Sequence, residues 1–303
     1  MTGHILVVGE SLIDVVRRAD GSTREHVGGS PANVAVGLAR LGHSVTLATR
    51  VGADERGARI ADLLVREGIS LTEGSVRGQP TSVATSTIDA SGAAEYSFDL
   101  SWDLLDLAPI EGVEHVHTGS IAATLEPGAS AVLPTIQRAR RNATISYDPN
   151  VRPSLMGDPH EVRAKIEVLI GLSDVVKASD EDIAWLYDGV PLPEILRLWG
   201  QLGPALMVVT RGDRGAVVGL GIAVAGWDDS VFAKNRDRLR EGDVAAKFMA
   251  AVLPQPSVKQ LLSTDHFSVD GTLVEAWASM KSLKPKKASG DNEPPASGGR
   301  NEE

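Results

Sequence analysis

Short apolar runs alternate with amphipathic segments over the first two thirds of the chain. Apolar runs typical of buried strands lie near residues 4–9, 45–49, 115–118, 144–148, 175–177 and 205–210. Segments with helical periodicity lie near residues 31–42, 55–67, 129–141, 159–172, 180–187 and 192–201. Strands that alternate with helices in this way predict an α/β fold, in which helices sandwich a parallel sheet.

Two further segments interrupt this rhythm and predict a small β layer outside the main sheet. Residues 15–27 alternate between polar and apolar positions, which favours an exposed hairpin. Residues 81–89 and 93–99 alternate in the same manner, and the turn residues 90–92 between them predict a second hairpin.

Local signals place the ends of two helices. Ser30 is predicted as an N-cap with Pro31 at the first helical position, and Gly42 ends the same helix. Because this helix is apolar nearly all round, it is predicted to lie inside the domain. Ser179 and Asp182 resemble a capping box at the start of a later helix.

The composition narrows the range of functions. The 303-residue chain has a formal net charge of −10, which argues against a nucleic-acid binder that neutralises phosphates. It has no cysteine, which excludes disulfides and thiolate catalysis. Its N-terminal apolar run is too short for a secretory signal, and no run approaches the ~20 apolar residues of a membrane span. We therefore expect a cytoplasmic enzyme that acts on a neutral or weakly charged small molecule, with no membrane partner.

Polar residues that suit a sugar follow the first predicted strand. Asp14 lies just past that strand, and the stretch from Gly28 and Gly29 to Asn33 opens the next helix. Glycines let a ligand approach the backbone, a carboxylate accepts hydroxyl hydrogen bonds, and an amide both donates and accepts them. Ligands of parallel sheets bind beyond the carboxyl ends of the strands, which is where these residues fall.

A second candidate segment, YDPNVRP at residues 147–153, ends another predicted strand. Its two prolines fix the backbone of the loop. Asp148, Asn150 and Arg152 are then predicted to project into the cleft, where the Arg152 guanidinium suits a phosphate.

Two later strand ends are candidates for binding a nucleotide. Lys177, Ser179 and Glu181 lie where a strand meets a helix N-terminus, and Glu181 could act indirectly through Mg²⁺. Residues 208–216 form a strand, a glycine-bracketed turn and a second strand whose edge could lie against a nucleotide. The candidates in this hairpin are Thr210, Arg211, Gly212 and Gly215. Taken singly, these features are also ordinary helix capping and an ordinary hairpin.

The order and spacing of these segments resemble the PfkB/ribokinase-type carbohydrate kinases. Over roughly residues 4–220, the chain contains in that family's order GESLIDVV, GGSPANVAVGLARLG, YDPNVRP, KASDEDIAWLY and VVTRGDRGAVV. The DPNVRP stretch is most similar to fructokinases and 2-keto-3-deoxygluconate kinases.

The resemblance implies a ribokinase-like fold with a β lid, and ATP-dependent phosphorylation of fructose or a related ketose or keto-sugar acid. Arg152 would lie near the transferred phosphate. The residues implied on the sugar side, including two from the lid, are Asp14, Gly29, Asn33, Tyr96 and Phe98. Those implied on the ATP and Mg²⁺ side are Lys177, Ser179, Glu181, Thr210, Arg211, Gly212 and Gly215. The resemblance also suggests a homodimer formed through the lid.

The chain departs from the family where a G-A-G-D loop is expected. In the family, the amides of that loop form an anion hole and its Asp takes the proton of the attacking hydroxyl. The nearest match here is Arg240-Glu241-Gly242-Asp243, in which Glu241 would repel phosphate. Asp243 is therefore a weak candidate for the catalytic base, and its alternative is a residue in the first turn of a helix.

The C-terminal region contains the stretches VFAKNRDRLREGDVAAKFMAAV, at residues 231–252, and HFSVDGTLVEAWASMKS, at residues 266–282. These two stretches resemble a different family, the insertion-sequence transposases of the DDE type. The resemblance covers roughly residues 227–303 and places a metal-binding carboxylate at Asp270. One of three carboxylates does not make a two-metal site. The lysines of the tail, which could contact DNA or could simply be solvated, are Lys281, Lys284, Lys286 and Lys287.

These resemblances give a three-part organisation. A truncated sugar kinase domain is predicted over residues 1–225, a mainly helical transposase-like fragment over 226–280 and a disordered tail over 281–303. The leading hypothesis is a sugar kinase weakened by loss of its catalytic loop. The alternatives are a sugar-binding remnant without catalysis and a DNA-binding transposase fragment, which the negative charge disfavours.

Overall fold

The computed structural model describes residues 3–221 of the chain, apart from residues 79, 90–93, 105–106 and 108–110. The predictions made for the 90–92 turn and for residues 222–303, including Asp243 and Asp270, lie outside the described residues.

The described chain alternates strands and helices as predicted. The strands are β1 (His4–Val8), β2 (Leu12–Arg18), β3 (Thr23–Gly28), β4 (Ser44–Ala48), β5 (Val51–Gly52), β6 (Ser70–Leu71), β7 (Val76–Arg77), β8 (Val83–Ile88), β9 (Ala94–Asp99), β10 (Val113–Gly119), β11 (Thr144–Asp148), β12 (Val175–Ser179), β13 (Leu206–Thr210) and β14 (Ala216–Leu220). The helices are α1 (Ser30–Arg40), α2 (Glu55–Arg66), α3 (Ala129–Ala139), α4 (Pro153–Met156), α5 (Pro159–Leu172), α6 (Asp180–Leu186) and α7 (Leu192–Leu202). Two 3₁₀ turns span Ser120–Ala123 and Gly212–Arg214.

The main sheet has eight strands in the order β14-β13-β12-β11-β10-β1-β4-β6. The strands pair in parallel except for β14, which returns antiparallel on the edge beside β13. The carboxyl ends of β1, β10, β11, β12 and β13 therefore meet along one edge, as the predicted α/β fold requires.

Two apolar clusters cover opposite faces of this sheet. One joins Leu6, Val8 and their neighbours on β10–β13 to α3, α5, α6 and α7. The other joins Ile5 and Val7 to α1, α2 and the inner side of β2. Residues that alternate along β1 thus enter different clusters, which is the period-two burial expected of a strand covered on both faces.

The predicted lid is a separate four-stranded sheet in the order β3-β2-β8-β9. The β2–β3 and β8–β9 pairs are antiparallel hairpins, and β2 pairs in parallel with β8. This register places Asp14, Ala84 and Phe98 side by side across three strands.

The start and burial of α1 differ from the sequence prediction. Gly29, and not Ser30, is the N-cap, and no side chain caps the helix. The helix buries Pro31, Ala32 and Ala35, whereas Leu41 just beyond it is 38% exposed. The apolar residues of α1 predicted a helix buried on all sides. Only the side that packs against β1 and β4 is buried, so the prediction overestimated the burial of the helix. The capping box of Ser179 and Asp182 is confirmed.

Candidate active site

Two adjoining cavities lie beyond the carboxyl ends of the strands. The first has a volume of about 620 Å³ and is formed by the ends of β1, β10 and β11, the start of α1 and the lid. The second has a volume of about 710 Å³ and is formed by the ends of β11, β12 and β13 and the start of α6. Asn150, Arg152 and Lys177 line both cavities, so a ligand in one lies next to a ligand in the other.

The predicted site residues divide between these cavities. Those that line the first are Asp14, Gly29, Asn33, Phe98, Asp148, Asn150, Arg152 and Lys177. Those that line the second are Asn150, Arg152, Lys177, Ser179, Glu181, Thr210 and Gly212. Of the predicted site residues that the structure describes, four line neither cavity, namely Gly28, Tyr96, Arg211 and Gly215.

The four residues outside the cavity walls have structural contacts nearby. A Cβ atom at Gly28 would overlap the Asp14 carboxylate, so Gly28 makes room for that side chain. Tyr96 is 64% exposed and stacks on Phe98 with a centroid distance of 6.4 Å. The N–H of Arg211 donates to the carbonyl of Gly215 at 2.8 Å, which closes the β13–β14 turn.

Gly29 brings the backbone of α1 against the end of β1. Its φ of 104° lies in the left-handed region that favours glycine. A Cβ at this position would also lie only 2.5 Å from the carbonyl oxygen of Glu10. The backbone requires glycine here for both reasons, and Gly29 lines the first cavity together with Asp14 and Asn33.

Asp14 places a carboxylate at the lid side of the first cavity. Burial raises the pKa of this carboxyl above its ordinary value, while the charges of His26 and Arg152 act to lower it. His26 lies directly across the β2–β3 pair from Asp14. The carboxylate lines the cavity, where it can accept hydroxyl hydrogen bonds.

Asp148 and Lys177 form an ion pair where the two cavities meet. The Lys177 Nζ lies 3.2 Å from the Asp148 Oδ2, and the Lys177 side chain is 39% exposed. Burial raises the pKa of Asp148, Lys177 lowers it, and the charge of Asp182 raises it again. The pair spans neighbouring strands, and it sets a positive and a negative charge at the boundary between the two cavities.

The start of α6 is fixed by reciprocal hydrogen bonds. The Asp182 N–H donates to the Ser179 Oγ at 3.0 Å, and the Ser179 N–H donates to the Asp182 Oδ2 at 2.7 Å. The Asp182 Oδ1 also accepts from the N–H of Val151 at 2.7 Å. One buried carboxylate thus ties the loop after β11, which carries Arg152, to the loop after β12.

The carboxylates of the second cavity suit a metal that arrives with a nucleotide. Within the described ranges, no three His, Cys, Asp or Glu side chains are grouped so that they could hold a metal by themselves. Glu181 and Asp180 nevertheless line the second cavity. Mg²⁺ commonly binds through one or two carboxylates together with substrate phosphates and waters, so this donor set fits it.

Several residues that line the cavities were not predicted as site residues, among them the polar or charged residues Glu10, Ser120 and Asp180. Glu10 and Ser120 lie in the floor of the first cavity, and Asp180 lines the second. Glu10 is only 5% exposed, and burial raises the pKa of its carboxyl from 4.5 to about 7. The Glu of the GESLID stretch directly after β1 was the available signal for this residue, whereas a single serine such as Ser120 gives none.

Comparison with known proteins assigns the chain to a class. A family model for the pfkB family of carbohydrate kinases matches residues 2–225. The fructokinase of Klebsiella pneumoniae is 31% identical over 229 residues, which cover 73% of this chain and 75% of that protein. The fructokinase of Escherichia coli is 33% identical over 231 residues, which cover 72% and 74% of the two chains.

Solved structures agree with this assignment. The apo fructokinase of Vibrio cholerae O395 superimposes with a TM-score of 0.65 and 27% identity, covering 74% of this chain and 79% of that one. The same enzyme has been solved with fructose, ADP and calcium ion bound, with a TM-score of 0.63, 27% identity and coverage of 72% and 74%.

The chain belongs to the pfkB family of carbohydrate kinases, and its fold is the ribokinase-like α/β fold. Among the described residues, no helix is long and apolar enough to span a membrane.

Proposed function

We propose that this chain binds a ketose in the first cavity and ATP with Mg²⁺ along the second, as a fructokinase-like sugar kinase. The observation that carries the proposal is the pair of adjoining cavities with Asn150, Arg152 and Lys177 in their common wall. A phosphoryl group can then pass between ligands without leaving the site. The relatives from Klebsiella pneumoniae and Escherichia coli are fructokinases, and the Vibrio cholerae fructokinase has been solved with fructose and ADP bound.

The sugar side has the donors and acceptors that hydroxyls need. Asp14 accepts, Asn33 donates and accepts, and the glycine at position 29 admits the sugar close to the backbone. Phe98 and Leu12 supply apolar surface for the carbon face of the ring. Fructose or a related ketose or keto-sugar acid satisfies this set.

The phosphoryl group would be transferred where the two cavities meet. A sugar hydroxyl oxygen forms a bond to the terminal phosphorus of ATP, the bond from that phosphorus to ADP breaks, and the hydroxyl proton passes to a base. The guanidinium of Arg152 and the Nζ of Lys177 would stabilise the migrating charge. Bound Mg²⁺ would supply further charge neutralisation through Glu181 or Asp180.

We propose that this chain lacks the usual proton acceptor and anion hole of these kinases, and that its turnover is slow for that reason. The sequence Arg240-Glu241-Gly242-Asp243 replaces the glycine-rich loop that these kinases use, and it lies outside the described residues. We therefore expect sugar binding with slow turnover. Binding without turnover is the second candidate function, and the sequence at residues 240–243 favours it.

Two measurements on the purified chain test the proposal. Calorimetry with fructose should show binding, and Asp14→Asn should weaken it about tenfold, the cost of losing a hydrogen bond to a charged group. Asp62→Asn, an exposed carboxylate on α2, is the matched control and should leave fructose affinity unchanged. A coupled ADP-release assay with fructose and Mg-ATP should give a kcat well below roughly 1 s⁻¹. Absence of fructose binding would refute the sugar site, and an ordinary kcat would refute the proposed impairment.

The origin of the C-terminal region and the assembly state are separate proposals. We propose that residues from about 226 derive from an insertion-sequence transposase that interrupted a kinase gene. Sequencing of the surrounding locus should reveal insertion ends, and an uninterrupted kinase frame would refute the idea. A homodimer through the lid is proposed from the resemblance, and light scattering of the purified chain tests it.

A further inference from the structure

A buried carboxyl at the end of β1 is connected to the junction of the two cavities through a chain of polar side chains. Glu10 follows β1, Ser120 follows β10, and Asn150 and Arg152 follow β11. All four residues line the first cavity. The proposed roles of the sugar and phosphate groups do not require Glu10, so its burial calls for a separate explanation.

The hydrogen bonds that connect these four side chains all run in one direction, from Arg152 toward Glu10. The Arg152 Nη1 donates to the Asn150 Oδ1 at 3.0 Å, and the Asn150 Nδ2 donates to the Ser120 Oγ at 3.5 Å. The Ser120 hydroxyl bonds in turn to the Glu10 carboxyl, which also accepts from the N–H of Ala122 at 3.3 Å. A guanidinium only donates, so Asn150 must turn its oxygen to Arg152 and its nitrogen to Ser120.

Two of these four hydrogen-bonded residues have unusual backbone conformations. Ser120 has a φ of 57° and Asn150 a φ of 36°, and both lie in the left-handed region that costs a non-glycine residue energy. Such conformations persist only where neighbouring contacts hold them. The N–H of Asn150 donates to the Asp148 Oδ1 at 3.1 Å, and the side-chain hydrogen bonds that end on Glu10 connect Asn150 to Ser120.

We infer that Glu10 is a positioning residue, which holds Asn150 and Arg152 in place at the cavity junction through Ser120. The inference rests on the proposed sugar-binding function of the first cavity. An ionised Glu10 makes its bond to Ser120 charge-assisted and polarises the bonds beyond it. Protonation of Glu10 removes its negative charge. The hydrogen bonds that connect Glu10 to Arg152 through Ser120 and Asn150 then weaken, and Arg152 is held less firmly.

The ionisation of Glu10 is governed by opposing effects within the cavity. Burial raises the pKa of its carboxyl to about 7, against the lowering by its own N–H, by Ser120, by Ala122 and by the charge of Arg152. The other charged side chains that line the same cavity are Asp14 and Asp148, which share its sign, and Lys177, which opposes it. Sugar binding is therefore expected to strengthen as the pH rises from 6 to 8.

Calorimetry of fructose binding across this pH range tests the inference. The intact chain should bind fructose about fivefold more tightly at pH 8 than at pH 6, which corresponds to one hydrogen bond gaining charge assistance. Glu10→Gln should bind with the weaker affinity at both pH values. Ser120→Gly suits the positive φ and removes the hydroxyl, and it should also lose the pH dependence. Glu114→Gln, an exposed acid on β10, is the control and should behave like the intact chain.

A second readout needs no sugar. The pH dependence of unfolding, compared between the intact chain and Glu10→Gln, reports the midpoint at which Glu10 titrates. Ser120→Gly removes a donor that lowers the pKa of Glu10, so the midpoint should move upward. If the intact chain binds no fructose, the proposed sugar site fails and this midpoint alone decides the inference. An unmoved midpoint, or a Glu10→Gln variant with the affinity and pH profile of the intact chain, would overturn it.

Discussion

The two cavities of this kinase are built in different ways, although they share a wall. The first is assembled from segments far apart in the sequence, over a floor that contains a buried acid, Glu10, and two left-handed residues, Ser120 and Asn150. The second is assembled from consecutive strand ends, and its buried acid, Asp182, accepts hydrogen bonds from the N–H groups of Val151 and Ser179. The difference indicates that the first cavity costs folding stability through Glu10, because burial raises the pKa of its carboxyl.

The largest expected difference concerns Glu10 and pH. The pKa of Glu10 is about 7 in the folded chain and near 4.5 in the unfolded chain, so the folded state keeps the proton up to a higher pH. The stabilisation is fully present below pH 4.5 and is lost as the pH rises through 7. Glu10→Gln keeps a neutral group at every pH, so at pH 8 it should raise the free energy of unfolding by up to roughly 3 kcal/mol. Denaturant unfolding of both chains at pH 5 and pH 8 measures this, and equal differences at the two values would contradict it.

The next effect concerns the glycine floor of the first cavity. Gly29→Ala forces a side chain into a left-handed conformation and against the Glu10 carbonyl. We expect a loss of about 2 kcal/mol in the free energy of unfolding, together with weaker fructose binding. Gly42→Ala, also at a positive φ but with open space around it, is the control for the conformational part alone. Equal losses in both variants would show that the close approach to Glu10 is unimportant.

Arg152 tests the shared wall, since it belongs to both cavities. Arg152→Met keeps much of the side-chain volume and removes the guanidinium. The affinities for a non-hydrolysable ATP analogue and for fructose should both fall, with the analogue weakened about tenfold or more. An effect on only one ligand, measured by calorimetry, would mean that the two cavities do not share this residue in function.

The smallest expected change in stability concerns an ion pair at the second cavity. Asp180 pairs with Arg214, whose side chain is 62% exposed. An exposed ion pair contributes little, so Asp180→Asn should alter the free energy of unfolding by less than about 0.5 kcal/mol. Nucleotide affinity in the presence of Mg²⁺ should nevertheless fall. A large loss of stability in thermal unfolding would break the contrast between the cavities.

The same contrast explains how much of the molecule could be predicted from its sequence. The strand ends of the second cavity follow one another along the chain, and the capping box of Ser179 and Asp182 is a local pattern that the structure reproduces. The parallel sheet and the lid hairpins also follow from local periodicity. These features depend on neighbouring residues, which a sequence displays directly.

The floor of the first cavity could not be predicted because its contacts are distant and its conformations are unusual. The N–H of Ala122 bonds to Glu10 across 112 positions of the sequence. Serine does not indicate a left-handed backbone, so the conformation of Ser120 could not be predicted. The sequence predicts Ser30 as the N-cap of α1 because serine is the commoner N-cap, whereas the N-cap in the structure is Gly29. The burial of α1 was overestimated for a related reason, since an apolar helix surface does not show which side has a partner.

The most direct test of the account is a crystal structure of the chain with fructose and a non-hydrolysable ATP analogue. The account predicts fructose hydroxyls within hydrogen-bond distance of Asp14 and Asn33, and the terminal phosphate of the analogue beside Arg152 and Lys177. A sugar bound outside the first cavity, or a nucleotide whose phosphates point away from Arg152, would contradict it.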